Sequence, residues 1–204
     1  MEFELPQGDF EGFIFDCDGT LADTMPLHFE AWSAALAEHD VDHLFPETRF
    51  YELGGIATSR IVTILNDEHG TDLDAIKLAQ RKEAIFMERL IQMDAIESVK
   101  AFALEKASNH PVSVVSGGFK QVVLKTLDLI GMKGVFSPVI TPEDVAEGCG
   151  KPHPDMFFLA AEKMGVDPAK CVVFEDGQSG IDGAHRAGMA TVLIRSHRLS
   201  HSVR

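Results

Sequence analysis

The chain has 204 residues, 45% of them hydrophobic and 25% charged, with a formal net charge of −14. That composition supports a sizeable core in one globular domain, or in a domain with a modest insertion, and speaks against a disordered chain. The charge argues against nucleic acid or an anionic membrane as partner, because their phosphates would be repelled, and no basic cluster precedes the short tail Arg195 to Arg204.

No stretch approaches the length of a membrane span. The start Met1-Glu2-Phe3-Glu4-Leu5-Pro6 is acidic where a secretory signal would be basic, so the protein is expected in the cytoplasm. Cys17, Cys149 and Cys171 make an odd number with no close Cys-x-x-Cys spacing. They suggest neither a disulfide framework nor a zinc site, and read as reduced packing residues.

In chain order, the first element is an apolar strand, Gly12 to Phe15, giving way to Asp16-Cys17-Asp18-Gly19. A buried strand thus delivers two carboxylates to a turn, and the turn re-aims the second so that both can serve one site. One can attack while the other moves a proton. Acidic turn residues after a strand are common, so the pair does not decide the function alone.

About ninety residues then pass before the next strand, far more than one crossover helix requires. Phe29, Trp32 and Leu36 mark one helix face, Ile61, Ile64 and Leu65 a second, and Ile76, Ala79, Phe86 and Leu90 a long third. The segment reads as an inserted helical bundle from about Thr24 to Met93, with its aromatic and Met residues as core.

Val112 to Val115 is the second strand, followed by Ser116-Gly117-Gly118 at a helix start, where exposed backbone N–H groups suit an anion. Val122, Val123, Thr126, Leu127 and Ile130 predict a helix stopping at Gly131, and Val135 to Ile140 a third strand. Gly150-Lys151-Pro152-His153-Pro154 follows, two prolines holding the chain around one lysine. Phe157, Phe158, Ala161 and Met164 predict a helix ending at Gly165, with Pro154 in its first turn. Cys171 to Phe174 is a fourth strand ending in Glu175-Asp176-Gly177, and Thr191 to Ile194 a fifth. Hard carboxylate oxygens at a strand end suit Mg²⁺.

Strands alternating with helices imply parallel pairing and a three-layer, Rossmann-like α/β core, with ligands at the carboxyl ends of the strands. The expected division is residues 1–23 plus 94–204 as the α/β core and 24–93 as an all-helical insertion.

Taken together, Asp16-Cys17-Asp18-Gly19-Thr20, Ser116-Gly117, Lys151-Pro152 and Glu175-Asp176-Gly177 resemble the haloacid dehalogenase-like hydrolases over nearly the whole chain. Asp23-Thr24, His28, Trp32 and Gly177-Gln178-Ser179-Gly180-Ile181 bring it nearest the subgroup of β-phosphoglucomutase and small sugar-phosphate phosphatases, whose four-helix cap the insertion would match. The resemblance implies that Asp16 is the nucleophile, forming an aspartyl phosphate, and that Asp18 is the general acid and base. Mg²⁺ would be held by Asp16, Asp176 and the main-chain oxygen of Asp18, with Glu175 a ligand directly or through water. Ser116, Gly117 and Lys151 would bind phosphate, and His28 and Arg60 are the substrate-binding candidates from the insertion.

The acid at Asp18 sets the chain apart from the family's dehalogenases and phosphonate-cleaving members, so phosphate ester cleavage is expected. A phosphomutase must also grip a second phosphate, yet Gly54 and Thr58 stand where the mutase pattern has Lys and Arg. The expected partner is therefore a small phosphorylated metabolite, and the Gly55-Ile56-Ala57-Thr58 region resembles fructose-1-phosphatase-type members, which implies fructose 1-phosphate. A mutase is the alternative, should Arg60 reach inward. A catalytically silent sugar-phosphate-binding protein is a third, disfavoured because a mere binder needs no nucleophile beside an acid.

Overall fold

The computed structural model describes residues 3–90 and 93–195. Residues 91–92, inside the insertion, and 196–204, most of the basic tail, lie outside the described residues. The first strand, β1, is Gly12–Phe15; then come helices α1 Met25–Ala37, α2 Glu47–Glu52, α3 Thr58–His69, α4 Ala75–Arg89 and α5 Glu97–Ala107. Thereafter strand and helix alternate: β2 Val112–Val115, α6 Lys120–Leu129, β3 Val139–Ile140, α7 Asp155–Met164, β4 Cys171–Glu175, α8 Gln178–Arg186 and β5 Ala190–Leu193.

The five strands are parallel and run in the spatial order β3-β2-β1-β4-β5. β1 is central, with Phe13 opposite Val112 on one side and Val172 on the other. Its residues are apolar without interruption because both sheet faces are covered. Phe13, Phe15, Val114 and Phe174 pack with Val99 and Phe102 of α5 and Val123 and Leu127 of α6. Ile14, Val115 and Val173 face the other way, onto Met156, Phe157 and Ala160 of α7 and Ala184 of α8. The chain is thus an α/β protein with a three-layer core, as expected.

Helices α1 to α4 share an apolar cluster of their own, built on Trp32, Leu36, Phe50, Ile61, Leu65, Leu78, Ile85 and Phe86. Each large side chain buried there stabilises by roughly 1.5–3 kcal/mol, which holds short helices that would be marginal alone. Asp74 starts α4 by accepting a hydrogen bond from the Lys77 N–H at 3.0 Å.

Four details depart from the sequence reading. The third strand shrinks from 135–140 to Val139–Ile140, because Val135 falls in a turn and Pro138 has no N–H for a ladder; Phe136 packs under the sheet instead. The fifth begins one residue earlier than expected. Phe158 is exposed, the buried stripe of α7 being Met156, Phe157, Ala160 and Ala161. Ile76 is also exposed, and the buried face of α4 runs instead through Leu78, Ala79, Lys82, Glu83, Ile85 and Phe86. Among the described residues no helix is long and apolar enough to cross a membrane.

Candidate active site

Three strand ends and one loop meet at the carboxyl edge of the sheet. Asp16 leaves β1 with its N–H still donating to the Phe174 carbonyl at 2.9 Å, so the sheet itself fixes its backbone. Lys151, buried in the loop before α7, donates from Nζ to Asp16 Oδ1 at 2.7 Å and to Glu175 Oε2 at 2.8 Å. Glu175 closes β4, and its other oxygen accepts from the Gly177 N–H at 3.2 Å. Ser116 leaves β2, and its Oγ accepts from the Gly118 N–H at 3.1 Å.

Asp16, Glu175 and Asp176 each offer a carboxylate oxygen, and the three oxygens lie within 4.8 Å of one another. One ammonium cannot balance three carboxylates, and hard oxygens at this spacing fit a divalent cation. Gly19 belongs to the same cradle. Its φ is +84°, and a Cβ there would fall 2.0 Å from Asp176 Oδ2, so no side chain could stand at this position without displacing the acid.

The electrostatics agree with that shortage of positive charge. Burial, then Glu175, raises Asp16 to about 8 despite Lys151. Burial, then Asp16 and Glu175, also pushes Asp176 well above the ordinary carboxylate range. Asp18 behaves oppositely: burial would raise it, but His28, the Thr24 hydroxyl and Lys82 outweigh burial and hold it at about 2. Cys17, between the two acids, is fully buried and its thiol is raised by that burial, so it remains a packing residue.

From the insertion comes a line of polar groups that ends on Asp18. Thr24 Oγ1 donates to Asp18 Oδ1 at 2.7 Å, and His28 Nε2 stands 3.0 Å from the same oxygen. The His28 ring lies flat on Phe86, centroids 3.8 Å apart, which fixes its plane. Behind it, Lys82 Nζ is 2.7 Å from His28 Nδ1 and 2.9 Å from Glu83 Oε1, which also accepts from Thr58 Oγ1 at 2.8 Å. An ammonium can only donate, so His28 Nδ1 is the acceptor and the ring proton sits on Nε2, facing Asp18.

The loop 53–58 carries the insertion onto the core by backbone contact. Ser179 Oγ donates to the Gly54 carbonyl at 2.6 Å. A Cβ on Gly117 would lie 2.4 Å from the Gly55 carbonyl oxygen, and one on Gly177 would lie 2.9 Å from that of Gly54. The cavity between them is lined by Asp16, Asp18, Ser116 and Gly117 from the core and by His28, Thr58, Lys82 and Glu83 from the insertion.

Of the sequence candidates, the structure therefore brings together Asp16, Asp18, Ser116, Gly117, Lys151, Glu175, Asp176 and His28. Arg60 is exposed on α3 and is not among the residues lining the cavity. Lys82 and Glu83 escaped the sequence reading. Their signal was there: they fall between Ala79 and Phe86 at helical spacing, on a stripe already read as buried, where a charge is out of place.

A family description, haloacid dehalogenase-like hydrolase, matches residues 10–188. The fructose-1-phosphate phosphatase YqaB of Escherichia coli (strain K12) is 34% identical over 189 residues, covering 91% of this chain and 97% of that protein. A β-phosphoglucomutase of Bacillus subtilis (strain 168) is 27% identical, covering 88% of this chain and 80% of that protein. Among solved structures, a β-phosphoglucomutase from Clostridium difficile superimposes with a TM-score of 0.75 over 89% of this chain and 83% of its own, at 20% identity, which speaks to fold alone. With the acid-rich strand ends, the buried lysine and this match along almost the whole length, the chain belongs to the haloacid dehalogenase-like hydrolases and is a phosphoric monoester hydrolase.

Proposed function

We propose that this protein hydrolyses a small sugar phosphate, such as fructose 1-phosphate, through an aspartyl phosphate on Asp16, with residues 24–93 acting as a cap. The observation that carries the reading is the convergence of Asp16, Asp18 and Ser116 on one cavity that the insertion also lines, with Lys151 held against Asp16 behind it. An Asp16 oxygen attacks phosphorus and the ester P–O bond breaks, while Asp18 gives its proton to the departing alkoxide. Water then attacks the phosphoenzyme, yields its proton to Asp18, and frees phosphate and the Asp16 carboxylate.

Mg²⁺, held by Asp16, Asp176, the Asp18 main-chain oxygen and Glu175 directly or through water, would keep Asp16 ionised and neutralise the transferring oxygens. Lys151 adds a fixed positive charge, and Ser116 with the Gly117 N–H supplies neutral donors. Asp18 starts ionised, so it must take up a proton as the phosphate dianion enters beside it, a like charge that raises its affinity for one. Thr24 and His28 keep that oxygen aimed.

Hydrolysis is favoured over phosphoryl exchange because Gly54 and Thr58 bring no cation for a second phosphate, Lys82 on the same wall is already paired with Glu83, and Arg60 stands exposed. The test is phosphate release from a panel of sugar and polyol phosphates with and without Mg²⁺, alongside Asp16→Asn. Release by the Asn variant at the wild-type rate would end the assignment. For the acid role, Asp18→Asn should slow phosphoenzyme formation, in a single rapid turnover, far more from a sugar phosphate than from an aryl phosphate whose leaving group departs unaided. Equal losses would leave Asp18 as a structural residue.

A further inference from the structure

Glu83 is the one cavity-lining carboxylate that the proposed chemistry leaves without a task. Its residue is 4% exposed and its side chain belongs to α4, far in sequence from the nucleophile. Oε1 already accepts two hydrogen bonds, from Lys82 Nζ at 2.9 Å and from Thr58 Oγ1 at 2.8 Å. Oε2 is buried with no hydrogen-bond partner among the described residues. Glu83 neutralises the buried Lys82, but both of these contacts use Oε1, so they leave the second carboxylate oxygen without a donor, and that oxygen bears the desolvation penalty of a charged group.

We propose that Glu83 Oε2 is the acceptor that reads a hydroxyl of the leaving group, making Glu83 a specificity residue for phosphate monoesters of polyhydroxylated carbon chains. The assignment rests on the phosphatase reading for the placement of the phosphate end, at Asp16, Ser116 and Gly117. The same cavity has Asp16 at the core and Glu83 on the insertion side, so an ester seated on the nucleophile directs its carbon chain toward α4. A hydroxyl there completes Glu83, whereas an alkyl chain leaves it unpaired. A second phosphate would meet a carboxylate at a wall where Lys82 is already neutralised. Discrimination of this type is steep because a site built to receive a donor penalises any ligand that lacks one.

The test compares fructose 1-phosphate with n-hexyl phosphate, which has the phosphate but no hydroxyl. Binding is measured by calorimetry in the Asp16→Asn background, where no turnover interferes, with and without Glu83→Gln. Gln keeps the oxygen that Lys82 and Thr58 need and replaces Oε2 by a donor. Loss of one hydrogen bond to a charged group predicts fructose 1-phosphate binding weakened about tenfold to a hundredfold, with n-hexyl phosphate within about twofold. Equal weakening of both esters, or of neither, overturns the proposal and makes Glu83 only an anchor for Lys82. Should the Gln chain fail to fold, Glu83→Asp in the Asp16→Asn background decides, since it keeps the charge beside Lys82 but withdraws the oxygens: weakening confined to fructose 1-phosphate upholds the proposal, and an equal change or none in the two esters overturns it. Turnover is read separately in the Asp16-intact protein. A binding difference without any phosphate release there would sink the phosphatase reading and leave the hydroxyl reader standing.

Discussion

Gly117→Ala adds one methyl group between two backbones, and its effect can be worked from the contact. The Cβ would lie 2.4 Å from the Gly55 carbonyl oxygen and 3.0 Å from its carbon, about 1 Å inside ordinary van der Waals contact. Neither atom can rotate away, since both belong to main chain, so the loop carrying Gly55 must lift from the sheet edge. Gly117 does not use a positive φ, so alanine brings no backbone strain and folding should be preserved. A shift of about 1 Å between the two halves of a catalytic cavity lowers the rate about a hundredfold. Gly118→Ala is the control, because its Cβ would meet Val123 at 3.4 Å and Ser116 Oγ at 3.5 Å, ordinary distances. We expect kcat/KM for fructose 1-phosphate to fall about a hundredfold in Gly117→Ala and less than about threefold in Gly118→Ala, with thermal melts of both near wild type. Similar activity in the two variants would refute the idea that closure of the 53–58 loop onto Gly117 assembles the site.

Asp16, raised to about 8 by burial first and Glu175 second, keeps a proton in the metal-free folded state that the unfolded chain loses near pH 4. Stability without divalent cations should therefore fall as pH rises from about 4 to about 8, and Mg²⁺ should restore it at pH 8. Asp18, lowered to about 2, has the opposite sign but exerts it only below about pH 4, outside that window. Melts of wild type and Asp16→Asn at pH 5 and pH 8 isolate the effect, and an equal slope in both would contradict it. Lys82→Met leaves Glu83 buried without its cation and should cost about 3–5 kcal/mol in urea unfolding, while Lys82→Met combined with Glu83→Leu should recover most of that. No recovery would mean the pair does not act as a unit. Given β-glucose 1-phosphate and a bisphosphate primer, the protein should release phosphate and form little glucose 6-phosphate; efficient interconversion would place a second phosphate site on the insertion.

The sheet and the acids at its edge were legible because each signal is local. An apolar run of four residues that ends in Asp or Ser and Gly says both strand and site, as at Phe15-Asp16 and Val115-Ser116. Lys151 was legible through the two prolines that follow it. What lay hidden was set by tertiary packing. Lys82 and Glu83 sit at helical spacing on the stripe through Ala79 and Phe86, but that they pair with each other and reach His28 shows only once α4 is seen packed on α1, and Ile76 reads as core until the stripe proves to start at Leu78. Strand three was overdrawn for a similar reason: Val135 and Phe136 are apolar because they pack beneath the sheet, not because they pair within it.

The position of β1 bears on how the protein is made. Of the five strands of this sheet it is the first to be synthesised and the central one, yet its partners begin at Val112 and Cys171. For the time it takes to synthesise about a hundred residues, this apolar strand has both edges unpaired, a state prone to mispairing with other chains. The helices that follow it pack on one another within residues 25–89, all synthesised before β2, and can collapse first. By folding early next to β1, the segment that later roofs the cavity would shield the nascent strand until β2 arrives.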